Sequence, residues 1–169
     1  LLVAQNKMAN ADKKKVYDEV IASKVADADT IAGARSAIKV LGAIDHPLEI
    51  AFTAADGRKV DLQEMKGKVI LVDFWAAWCG ACIQSLPGVV KLYEKYHDQG
   101  LEIVGINLDK HQFRMEEIVH RFKLPWPQHH DSKGWGNKFA LEYNVTSIPA
   151  MWLVDKKGIL RTIEARENL

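Results

Sequence analysis

Residues 69–82 read "VILVDFWAAWCGAC". The first seven form an almost unbroken apolar run with β-branched side chains, the composition of a strand covered on both faces, and Asp73 is the single acid within it. Cys79 and Cys82, the only cysteines of the chain, follow where the next helix would begin. Chemistry collects at that edge of the sheet in α/β folds. A cysteine at a helix N-terminus meets unpaired backbone N–H groups and the positive end of the helix dipole, and both favour thiolate over thiol.

Toward the C-terminus, Val89, Val90, Leu92, Tyr93 and Tyr96 fit a helix ending near Gly100, and residues 101–107, "LEIVGIN", read as a second buried strand. Strand, helix, strand is a parallel βαβ unit. A helix over 115–122, a Pro/Trp/His loop over 125–131 and a helical stretch near 135–143 follow. Residues 151–154 and 159–163, joined by a turn through Lys157-Gly158, close the sheet as an antiparallel pair. Toward the N-terminus, Leu48, Ile50 and Phe52 alternate, Asp56-Gly57 makes a turn, and Val60 and Leu62 resume the alternation, which is a hairpin. Earlier still, Val16, Val20, Ile21 and Val25, then Ile31, Ala34, Ile38 and Leu41, recur at helical spacing. The cap-forming run at 26–30 divides them into two short helices. This segment carries no recognisable chemistry. The reading is an α/β fold with a mixed central sheet flanked by helices and preceded by a β-hairpin, with a helical extension over 1–45 and one main domain over 46–169.

The 169 residues are 48% hydrophobic and 27% charged, the composition of a globular protein, with no apolar run near the roughly 20 residues of a spanning helix. A formal charge of +1, spread along the chain, offers no electrostatic footprint for nucleic acid or an anionic membrane. The chain begins at Leu1, as a processed chain or a fragment would. Residues 1–5 read equally as the tail of a removed secretion signal or as an apolar end. Two cysteines are too few for a disulfide-stapled scaffold.

The cysteine pair has three readings. As a structural clip it is poorly placed, because so small a loop removes only about 2 kcal/mol of unfolded-state entropy, against nearly 5 for a loop of about 100 residues. As a metal site, zinc or copper, it needs two further ligands, for which His111, His129 and His130 are the candidates. As a redox centre it needs only what is present. Lowering the thiol pKa from about 8.5 to about 7 raises the thiolate fraction roughly 15-fold while nucleophilicity falls about 5-fold, a net gain near threefold. The larger benefit lies in Cys79 as a leaving group and in Cys82 placed to attack intramolecularly.

With these residues in view, "VDFWAAWCGAC" resembles the active-site segment of the thioredoxin superfamily. Pro87 matches the proline that kinks the active-site helix, and "TSIPA" at 146–150 resembles the cis-proline loop. The hairpin, "KGKVILVDFWA", "LEIVGINLD" and "VDKKGIL" are together similar to the TlpA/ResA type of thiol-disulfide oxidoreductases over residues 47–163. The resemblance implies a thioredoxin fold and an enzyme without a cofactor beyond its own disulfide. Cys79 would be the exposed nucleophile, Cys82 the resolving thiol, and Asp73 the buried acid exchanging a proton with it, its pKa raised by burial. Trp78, Gly80 and Ala81 would face the substrate, and Ile148 beside the cis Pro149 would pair with a substrate strand. The other tryptophans, Trp75, Trp126, Trp135 and Trp152, read as core or loop packing. Partners would be protein thiols or disulfides and an upstream redox donor, acting on a monomer in the bacterial periplasm or cell envelope. Membrane anchoring would need a segment this chain lacks, and the sequence itself does not separate the envelope from the cytoplasm.

The pattern departs from the family in places. The lysine that usually partners the buried acid is replaced by Gly105. The TlpA/ResA group often has asparagine where Asp73 stands and glutamate where Ser85 stands, and Gly80-Ala81 replaces the commoner Gly-Pro or Pro-Pro. The family's last helix is absent or only begun after "RTIEARENL". Asp73 and Ile148 lean toward a reductant. The alternative from a different class is a copper-binding chaperone on the same fold.

Overall fold

The computed structural model describes residues 9–168; residues 1–5, read above for a secretion signal, lie outside them. Two helices come first, α1 (Asn10–Ala22) and α2 (Ala28–Leu41). Asp27 caps α2, its carboxylate accepting the Thr30 N–H at 2.7 Å, so residues 28–30, read as part of the break, open the second helix. Val25 departs from the helical periodicity assigned to it. It lies in the linker, 95% exposed, because the Ser23 hydroxyl takes its N–H and competes with another helical turn.

The hairpin forms as β1 (Ala51–Thr53) and β2 (Lys59–Asp61), antiparallel with Phe52 opposite Val60. Gly57 supplies the positive φ of 86° at its turn, a conformation open to glycine at little steric cost. β3 (Val69–Trp75), α3 (Gly80–Tyr96) and β4 (Leu101–Asn107) make the parallel unit. α4 (Gln112–Phe122) follows, then β5 (Gln128–His129), the short α5 (Lys138–Glu142), β6 (Ala150–Val154) and β7 (Leu160–Thr162). The five-stranded sheet has the order β5-β4-β3-β6-β7, with β6 and β7 antiparallel to their neighbours. The mixed central sheet with flanking helices is the fold the sequence implied.

β5 was hidden inside the Pro/Trp/His loop. It is two residues long and pairs in parallel with Gly105 and Ile106, too short to show any periodicity. The stretch near 135–143 is likewise divided, with a 3-10 turn at Gly134–Gly136 and then α5, whose N-cap Asn137 accepts the N–H groups of Phe139 and Ala140.

β3 is central, and every residue from Ile70 to Trp75 is buried. Its two faces pack on Ile103, Val104, Ile106 and Leu86, and Phe74 meets Trp152 at 5.1 Å between ring centroids. Gly105 lies directly opposite Asp73 in the register. A Cβ there would run into the Gln128 carboxamide, whose oxygen accepts the Trp75 indole N–H at 2.9 Å. The extension is tied on by Lys13, buried and bonded to both oxygens of Glu164 at 2.7 and 2.8 Å, and by the Asn144 amide donating to the Ser36 carbonyl at 3.1 Å. The chain's last described turn is a 3-10 turn at Ala165–Asn168. Among the described residues no helix is long and apolar enough to cross a membrane.

Candidate active site

β3 delivers its carboxyl end to the sheet edge, and the chain turns through residues 76–79 into α3. Cys79 is the N-cap of α3, its Sγ accepting the Cys82 N–H at 3.2 Å, and it is joined to Cys82 by a disulfide, S–S 2.06 Å with Cα atoms 5.2 Å apart. Cys82, one turn into the helix, is 1% exposed and Cys79 7%. Only Cys79 therefore has any opening to solvent. It is less exposed than the role of nucleophile implied, but Trp78, Gly80 and Ala81 around it are exposed. Cys79 sits at the unpaired N–H groups of α3, so a thiolate released there is stabilised by those dipoles. Pro87 lies inside α3, and Ser85 donates to the Cys82 carbonyl at 2.8 Å.

Asp73 is 1% exposed, and its Oδ1 has no hydrogen-bond partner among the described residues. Burial raises its pKa to about 7, opposed by the charge of Arg166. Its cross-strand neighbours are Gly105 and Met151, neither of which supplies a cation. The Ile148–Pro149 peptide is cis. It falls immediately before β6, and because Ala150 pairs with Phe74 near the end of β3, the antiparallel register brings Pro149 to the same sheet end as the cysteines.

The site contains residues that the sequence reading passed over. The Asp109 carboxylate accepts the N–H of Ala77, in the loop before Cys79, at 2.9 Å and the Asn107 amide at 2.8 Å; the Asn107 oxygen accepts the Asp109 N–H at 3.0 Å. This clasp locks the turn after β4 to the active-site loop. Its signal was present in "GINLD", two side chains prone to local turns at the carboxyl end of a parallel strand. Trp75, Trp126 and Trp152 are core residues. Trp135 is the one that packs in a loop, 43% exposed and against Trp78 with centroids 6.0 Å apart.

The histidines proposed as metal ligands are dispersed. His129 is buried between Phe52 and Phe139, near Asn137 Nδ2 at 3.1 Å, and burial lowers its pKa. His130 meets the Asp109 carbonyl at 2.9 Å. Among the described residues no three His, Cys, Asp or Glu side chains converge on a point.

Comparison with known proteins places this geometry. A thiol-disulfide oxidoreductase ResA of Bacillus cereus is 32% identical over 106 residues, covering 63% of this chain and 60% of that protein. The thioredoxin-like protein YneN of Bacillus subtilis is 32% identical over 118 residues, covering 68% and 66%. The match thus spans about 60 to 66% of these relatives' own length. Among solved structures, the thioredoxin domain of a thiol-disulfide oxidoreductase from Bacteroides vulgatus aligns with a TM-score of 0.65 at 28% identity, over 72% of this chain and 88% of that one. A thiol:disulfide interchange protein from a Bacteroides species gives 0.58 at 30%, over 70% and 79%. The Redoxin family matches residues 36–169, beginning inside α2, and a match across most of the chain, on a thioredoxin-like sheet with its cysteine pair at the end of β3, makes this chain a member of the Redoxin family, of the ResA type within the thioredoxin superfamily.

Proposed function

We propose that the protein is a thiol-disulfide oxidoreductase that reduces protein disulfides through Cys79 and Cys82. The observation that carries this reading is the placement of the pair. Cys79 caps α3 with the only opening to solvent, and Cys82 is sealed behind it at bonding distance. The names of the matched relatives, thiol-disulfide oxidoreductase and thiol:disulfide interchange protein, agree with it.

In the reduced protein the Cys79 thiolate attacks one sulfur of a partner disulfide. The partner's S–S bond breaks, its other sulfur leaves as a thiolate and takes a proton, and a mixed disulfide holds the two proteins together. Cys82 then loses its proton and attacks Cys79 Sγ, and the partner's second sulfur leaves. Two electrons have passed from the cysteine pair to the partner, and the Cys79–Cys82 disulfide is restored. A dithiol donor reverses the same steps to recharge the pair. Asp73, with its pKa near 7, exists in both protonation states at neutral pH and is suited to accept the Cys82 proton. Trp78, Gly80 and Ala81 form the surface the partner meets, and Ile148 beside cis Pro149 offers a backbone edge to its strand. No cofactor beyond the cysteine pair enters these steps. We place the protein, as a monomer, in the bacterial periplasm or cell envelope, on the strength of the family resemblance. The copper-chaperone alternative lacks a third His, Cys, Asp or Glu donor gathered beside the cysteines among the described residues.

The test is Cys82→Ala in the reduced protein mixed with disulfide-bonded proteins. A stable mixed disulfide on Cys79 is expected, and undiminished catalytic turnover would refute the resolving role. A reduction potential near about −270 mV supports the reducing direction, and one near about −120 mV overturns it.

A further inference from the structure

On the Trp78 side of the disulfide the surface opens into a groove of about 750 Å³. Ala77 and Trp78 form one wall, Trp135 faces them, and Leu108 and Ile118 lie at the base. Trp78 and Trp135 are 56% and 43% exposed. Trp78, next to the nucleophile, and Trp135 touch each other, yet both keep large apolar faces open to water at the groove, more than their mutual packing requires. The clasp from Asp109 to Ala77 fixes the position of this wall.

The charges of the groove are unequal. Lys110, His111, Arg114 and Arg121 line it, against Asp109 and Glu117. The Asp109 carboxylate is buried and used by Ala77 and Asn107, and Glu117 stands 3.6 Å from Arg114. Lys110 and Arg121 are left with no carboxylate at ion-pair distance among the described residues. A chain whose overall charge is close to neutral has concentrated unneutralised cations beside its redox centre.

We propose that this groove holds an acidic peptide segment flanking the reactive cysteine of the partner protein. An apolar or aromatic side chain packs on the open faces of the Trp78–Trp135 pair, and carboxylates meet Lys110 and Arg121. Because Ala77 and Trp78, next to Cys79, line the same groove as Lys110 and Arg121, an extended segment, rising about 3.3 Å per residue, runs into the groove while its cysteine sulfur sits at Cys79. The proposal rests on the redox reading of Cys79 and adds to it the class of partner.

The test uses short peptides with one cysteine activated as an S-pyridyl disulfide, a tryptophan nearby, and flanking residues that are all Glu, all Gln or all Lys. The reduced protein attacks the peptide sulfur and thiopyridone leaves, followed by its absorbance. Free dipyridyl disulfide is the uncharged reference for the redox centre. At low ionic strength the Glu peptide is expected to react about tenfold faster than the Lys peptide. Added salt should close the gap, and the double variant Lys110→Glu with Arg121→Glu should invert the order, with Lys110→Gln and Arg121→Gln abolishing it. Equal rates for the three peptides, or an order that the variants leave unchanged, overturn the groove assignment. If the variants change only the sedimentation of the protein, the occupant is a second copy of this chain and the proposal falls. Failure of the wild-type protein to react even with dipyridyl disulfide instead refutes the redox reading itself.

Discussion

On the cis-proline flank of the disulfide the chain meets itself, whereas on the Trp78 flank it leaves a groove. The first flank holds a smaller pocket of about 250 Å³ lined by Lys13, Tyr17 and Ser36 of the N-terminal helices and by Asn144 and Pro149 of the loop before β6. Polar ties hold its walls together, Lys13 to Glu164 and Asn144 to Ser36. The Trp78 flank is three times as large and is lined by cations and exposed indoles. The difference teaches where selectivity can reside. In the proposed reaction a backbone edge at Ile148 would offer hydrogen bonds that any strand can make, while side chains at 110, 121 and 135 would distinguish one partner from another.

Both flanks depend on the thiol between them, and the largest effect comes from removing it. Cys79→Ser should reduce disulfide exchange on every substrate to the uncatalysed rate, as read by insulin reduction or a fluorogenic disulfide. Residual turnover would show that the flanks serve some other chemistry.

Asp73 comes next. Its folded-state pKa of about 7 exceeds the ordinary 3.8, so the native state binds more protons than the unfolded chain between those values. The protonated acid costs nothing in charge burial below about pH 4, and stability is lost as pH rises through 7. Asp73→Asn should therefore stabilise the protein by up to about 4 kcal/mol at pH 8 and hardly at all at pH 4. Urea melts at the two pH values measure the gap, and a constant difference would mean that folding leaves the Asp73 pKa at its ordinary value. The same variant should slow resolution of the mixed disulfide.

The clasp separates the flanks more directly. Asp109→Ala leaves the Ala77 N–H and the Asn107 amide without their acceptor, an expected loss of about 2 to 3 kcal/mol. Its signature is a rise in hydrogen exchange at Ala77 with none at 144–149. Equal loosening on both flanks would contradict the division drawn here. The smallest effect belongs to Lys13→Ala. With Glu164 partly open to water the pair contributes about 1 kcal/mol, and proteolytic nicking in the linker at 23–27 should accelerate a few-fold while peptide charge preference at the groove is unaffected.

Legibility in the sequence followed the range of the interactions involved. The run at 69–75, the helix after it and the strand at 101–107 are long and periodic, so the sheet centre and the cysteines at its edge could be read directly. Pro149 could be read only through a family pattern, since nothing in "SIPA" by itself requires a cis bond. β5 was missed because two residues carry no period. For Trp135 the sequence left core and loop packing open, and the 3-10 turn at Gly134–Gly136 decides for the loop, where it packs on Trp78. Val25 was misread because periodicity ignores a hydroxyl two residues earlier. The Asp109 clasp joins residues 32 apart in sequence, a relation that exists only once β3 and β4 lie side by side.

Gly105 and Gln128 carry a consequence for how relatives of this chain can diverge. A lysine at 105, the partner that thioredoxins give their buried acid, has to push the end of the Gln128 side chain aside, and when that breaks the bond to the Trp75 indole N–H a core donor is left unbonded. That orphaned donor costs about 1 to 3 kcal/mol, a large fraction of a domain's stability. The two positions are thus an epistatic pair. Only a replacement at 128 that gives way and still accepts the Trp75 N–H removes the conflict, and a chain that keeps Gln128 in place keeps Gly105 opposite Asp73.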